Sequence, residues 1–125
     1  MDTSILVESG RNFLTALDRE NVKPRAAMWV HNRDTETWRL WIVPPKDITD
    51  KREFYRKVAE TISKYSSTLS GLDASDTEFV VDTHPAIKAL SRTFKGTNET
   101  ATIFVSDNML NGFYLPDGII LRMAV

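Results

Sequence analysis

Residues 26–45, AAMWVHNRDTETWRLWIVPP, hold all three tryptophans of the chain and leave little choice of local structure. Two runs rich in aromatic and β-branched residues, 26–31 and 38–43, flank the polar NRDTET, which is the pattern of two strands joined by a turn. Pro44 and Pro45 stop the second strand, because neither has an N–H to give to a ladder. Strand side chains alternate between faces, so Trp38, Leu40 and Ile42 lie on one side while Arg39, Trp41 and Val43 lie on the other. In the first strand, Trp29 and His31 are opposed to Met28 and Val30 in the same way. The tryptophans therefore cannot all face one core.

Helices are expected on either side of this hairpin. Ile5, Leu6, Phe13, Leu14 and Leu17 are spaced for one side of a first helix, with Asp2 or Thr3 as N-cap. Its end is written in ENVKP: Asn21 suits a left-handed cap, Val22 folds back on the last turn, and Pro24 prevents continuation. From Asp50 to Ser67 the apolar positions Phe54, Val58, Ile62 and Tyr65 mark a second amphipathic helix. Asp50 and Glu53 are set as a capping box, and Glu53/Lys57 and Glu60/Lys64 as pairs one turn apart.

After a loop containing Ser and Gly, TEFVVDT reads as a strand, and Pro85 opens a third helix with Ile87, Leu90 and Phe94 inward and Gly96 as C-cap. The remainder holds three apolar bursts, separated by SDNMLNG and by PDG, a turn signal. Within the last burst, Ile119, Leu121 and Met123 are expected to face the core, and Ile120, Arg122 and Ala124 to face outward or into a dimer contact. The order α-β-β-α-β-α-β-β-β makes residues 1–125 a single α+β domain. Its sheet is mixed or mainly antiparallel, with about five to six strands and three helices.

Composition narrows what such a domain does. With 125 residues, 42% hydrophobic and 26% charged, the chain is long and apolar enough to bury one core unaided. A net charge of −1 supplies no general field for a polyanion, which disfavours nucleic acid as a partner. The absence of cysteine excludes a disulfide frame, a thiolate metal site and a cysteine nucleophile. The first twenty residues have only three consecutive apolar positions and no basic region ahead of them, so neither a signal peptide nor a membrane span is expected, and the expected compartment is the cytoplasm.

Five glycines at 10, 71, 96, 112 and 118 form neither a dinucleotide fingerprint nor a phosphate loop. The two histidines, His31 and His84, stand far apart, and no serine elbow occurs. No cofactor or metal is expected. Asp73, Asp76, Glu78 and Asp82 gather around the third strand, the first two in a polar loop, without the spacing of a calcium loop.

Three functional readings follow. The leading one is a non-catalytic module that binds a protein or a second copy of itself through the 26–43 hairpin, with Trp41 beside Arg39 as the contact; exposed Trp next to Arg is a composition typical of interaction centres. Against it stands a structural account in which both sheet faces are covered, or Arg39 lies over Trp41 as a local cation–π pair. The second reading is a small enzyme for an anionic substrate, with His84 as acid/base beside Asp82 and Thr83 where a strand meets a helix N-terminus. The same letters also describe a plain capped helix start. The third is a nucleic-acid accessory protein gripping phosphates through Lys51, Arg52, Arg56, Lys57 and Lys64, weighed against an ordinary solvated helix face.

Overall fold

A computed structural model describes residues 3–69, 71–95, 102–110 and 112–125, apart from the side chains at 107, 108 and 116. The first helix, α1 (Thr3–Arg19), is followed by β1 (Ala26–Asn32) and β2 (Thr37–Val43). Next come α2 (Lys51–Lys64), a 3₁₀ turn at Ala74–Asp76 and β3 (Thr77–Phe79). The order closes with α3 (Pro85–Phe94), β4 (Ile103–Leu110) and β5 (Phe113–Met123). This is the α+β arrangement expected from the pattern, with five strands in one mixed sheet of order β3-β2-β1-β5-β4. All neighbours are antiparallel except β2 and β3, which run parallel because α2 carries the chain back between them.

Local signals placed the helix ends. Asn21 adopts φ +61°, its N–H reaches the Asp18 carbonyl at 3.1 Å, and the Val22 N–H reaches that of Leu17 at 2.9 Å, a Schellman closure of α1. The Asp50 side chain accepts the Arg52 N–H at 3.0 Å and starts α2. The salt pairing on α2 differs from the expected one: Glu60 takes Arg56 at 2.6 Å, while Lys64 crosses to Glu20, just after α1, at 3.0 Å. Of the other proposed caps, Asp2 and Gly96 lie outside the described residues, and Thr3 is already the first residue of α1.

Helices pack on both faces of the sheet, leaving Phe104 and Met109 of β4 and Tyr114 of β5 exposed. Below it, α1 and α2 bury Phe13, Leu14, Phe54 and Val58 against Trp29, Leu40 and Ile119. Above it, α3 buries Ile87 and Leu90 against Met28, Trp41 and Ile120. Ile5, assigned to the buried side of α1, is 59% exposed, although the adjacent Leu6 is buried.

The carboxy-terminal strand corrects two expectations. PDG does not separate two strands; β5 runs through it, because Asp117 is held from both sides, opposite His31 of β1 and Ser106 of β4. Gly118 fits there closely, as a Cβ would stand 3.1 Å from both Met28 and Val105. The register between β1 and β5 shifts at Ala27/Met28, leaving Leu121 unmatched, and this bulge reverses the alternation beyond it. Met123 consequently joins the upper core and Arg122 turns to the lower face, where it clasps Asp18 at 2.7 and 3.0 Å, while Ile120, ahead of the bulge, is buried because α3 covers its face. Among the described residues no helix is long and apolar enough to cross a membrane.

Candidate functional site

The far end of the β1–β2 hairpin carries the most unusual local geometry. Asn32 faces Thr37, and the Asn32 side chain accepts the N–H groups of Asp34 and Thr35 at 2.9 and 3.3 Å, which folds the intervening four residues into a compact turn. That turn closes through Glu36 at φ +54°, a left-handed conformation normally given to Gly or Asn. One Glu36 carboxylate oxygen then stands 3.6 Å from His31 Nε2. Cross-strand pairing sets His31 against Trp38, ring centroids 4.9 Å apart, and His31 Nδ1 is buried with no hydrogen-bond partner among the described residues.

These residues wall a cleft of about 410 Å³ between the start of α1, the hairpin and the 71–76 segment. Its floor is Trp29, whose Nε1–H donates to the Leu6 carbonyl at 2.8 Å. Gly10 makes that approach feasible: a Cβ there would come within 2.9 Å of Trp29 Nε1 and 2.4 Å of Leu121. Ile5, Leu6 and Leu72 supply apolar lining, and Thr37 and Ser9 hydroxyls. Two carboxylates, Glu36 and Asp76, stand at the cleft, and among the described residues no Lys or Arg lines it. Asp76 is held in place by accepting the Asp73 N–H at 2.9 Å in the capping box of the 3₁₀ turn. The cleft combines a concave shape, aromatic surface and negative charge.

On the opposite face of the hairpin, Trp41 is 7% exposed. It is not the open tryptophan that the sequence suggested, because α3 packs over that face. The start of α3 sets His84 5.0 Å from the Trp41 ring, and Phe113 closes the group at 5.6 Å. Arg39 shares the face with Trp41, as alternation required, yet it turns to the neighbouring strand: its Nε donates to Glu78 at 3.1 Å and its Nη2 to the Thr77 carbonyl at 3.0 Å. A smaller hollow of about 290 Å³ remains between Arg39, Glu78, Trp41 and the half-exposed Tyr114.

Asp82, Thr83 and His84 are adjacent in the chain but directed to separate tasks. Asp82 pairs with Arg25 at 3.0 Å, Thr83 is exposed, and His84 Nδ1 accepts the Ala86 N–H at 3.1 Å as the N-cap of α3. Burial beneath the aromatic group pushes the His84 pKa down, opposed by Glu78. On α2, Lys51, Arg52, Arg56 and Lys64 are exposed and Lys57 half-buried, with Arg56 set between Glu53 and Glu60. Lys64 and then Tyr65 donate to Glu20 and hold its carboxyl below the usual range. The acids near β3 are likewise engaged, and among the described residues no group of three or more acids and histidines is arranged to hold a metal ion.

Sequence reasoning thus missed Glu36, His31 and Trp38 as a unit. The pairing of His31 with Trp38 follows once the turn is known to span four residues; the backbone conformation of Glu36 has no signal in the letters. Comparison of the chain with protein-family models, with curated proteins and with solved structures finds no match.

Proposed function

We propose that this protein is a non-catalytic protein-binding module of the cytoplasm whose recognition element is the 26–43 hairpin. The contact surface is the cleft on the α1 side rather than the Trp41 face. The observation that carries this reading is the 410 Å³ cleft itself, to which one hairpin contributes Trp29, His31, Glu36, Thr37 and Trp38. Concave sites of this size with apolar walls and a few fixed polar groups are where proteins hold ligands. Trp38 is the anchor, being half-buried, rigid and backed by His31.

Affinity capture from the source cells with the full chain, with Trp38→Ala and with Tyr114→Ala on the opposite face tests the assignment. Sedimentation of the same three proteins reads self-association. A partner, or a second copy, that is lost with Trp38→Ala and kept with Tyr114→Ala supports the cleft. Equal retention by both variants, or no association of any kind, overturns it.

A further inference from the structure

We propose that the cleft receives one basic side chain, arginine or lysine, projecting from the partner polypeptide. This rests on the protein-binding reading above and names the chemistry of its occupant. Charge complementarity is the first argument. Glu36 and Asp76 stand at the cleft with no Lys or Arg among its described lining residues, whereas Asp18 is matched by Arg122, Glu20 by Lys64, Glu60 by Arg56, Glu78 by Arg39 and Asp82 by Arg25. Among the described residues Glu36 is tied only to His31, at a separation longer than a hydrogen bond.

The walls supply the second argument. Trp38 presents an indole to the cleft, and the face of an indole carries negative electrostatic potential that attracts ammonium and guanidinium groups. Ile5, Leu6 and Leu72 offer apolar surface for the methylene stem that such side chains lay along a wall while their charged ends seek polar surroundings. An anionic side chain meets two carboxylates here, and an uncharged one leaves both without a counterion.

The position of Glu36 is a third support. Its left-handed backbone turns the carboxylate back over His31 at the cleft, in a place where the turn alone favours glycine. The fold therefore bears a local strain that sets a negative group at the site.

The experiment titrates the full chain with the N-acetyl, N-methylamide derivatives of arginine, lysine, norleucine and glutamate, following the indole N–H resonances by NMR. Trp29 and Trp38 report the cleft, and Trp41, on the far side of the sheet, is an internal reference. The basic derivatives should move Trp38 saturably and leave Trp41 in place. Norleucine should bind about tenfold more weakly, and glutamate not at all. Glu36→Gln and Asp76→Asn should each weaken arginine binding about threefold, and Glu36→Gly, which suits the turn, should do so with the fold intact. Norleucine binding as well as arginine, unchanged affinity in Glu36→Gln, or no saturable movement of Trp38 would each overturn the proposal. Capture that still depends on Trp38 while the basic derivatives fail removes only this occupant; the converse removes the partner and keeps the basic ligand.

Discussion

Glu36 is the residue at which local cost and position most clearly diverge. A left-handed backbone costs an L residue about 1–2 kcal/mol, part of which glycine returns through its greater freedom in the unfolded chain. The ion pair with His31 offsets little, because the Glu36 side chain is 79% exposed and solvent screens it. Glu36→Gly is therefore expected to stabilise the fold by about 0.5–1 kcal/mol, seen as a rise of about 2–4 °C in Tm. An unchanged or lower Tm in a thermal melt refutes the strain argument. Trp41 teaches the complementary lesson. Strand alternation correctly put it on the face of Arg39, but alternation says nothing about what lies above that face, and a helix forty residues later covers it.

Among the elements, β5 is the one most dependent on its surroundings. It pairs with β1 on one side and β4 on the other, contributes Ile119 and Leu121 to the lower core and Ile120 and Met123 to the upper, and anchors α1 through Arg122 and Asp18. Removing residues 119–125 strips β1 of most of its partner and opens both cores at once, so the truncated chain should be insoluble. A soluble truncation with the parent's melting temperature would show that the sheet does not need this strand. The bulge at Leu121 was invisible beforehand, since an apolar run such as GIILRM fits either register until β1 is laid beside it. PDG was misleading for the same reason: its turn preference is a local tendency, and ladders on both flanks outweigh it. The end of α1 and the start of α2, by contrast, were legible, because the bonds that Asn21 and Asp50 set up join groups two to five residues apart.

At the scale of the whole molecule, the sheet separates two cores, and His84 ties the upper one to pH. Its folded pKa lies below 6.5, chiefly through burial, so the unfolded chain binds a proton more readily than the native one. Stability from this group is complete above pH 6.5 and is lost as pH falls from there through the lowered native pKa. Protonation also removes the lone pair that caps α3. Asn at this position keeps a capping oxygen without the titration, so chemical denaturation of His84→Asn should show a shallower loss of stability than the parent between about pH 7 and 5, whatever its stability at pH 7. Parallel curves for the two proteins would remove His84 from the account.

The sequence by itself determined the three helices, the hairpin and the sides of its strands, because helix periodicity, strand alternation, capping residues and Pro44-Pro45 all act over a few neighbouring residues. Only the tertiary structure decided that helices pack on both faces of the sheet, that the register slips at Leu121 and that Trp29, Trp38 and Glu36 meet at one cleft with Leu6 and Asp76. Those outcomes depend on contacts between segments far apart in the chain, where each choice is settled by how well distant surfaces pack together rather than by any preference carried in the local letters.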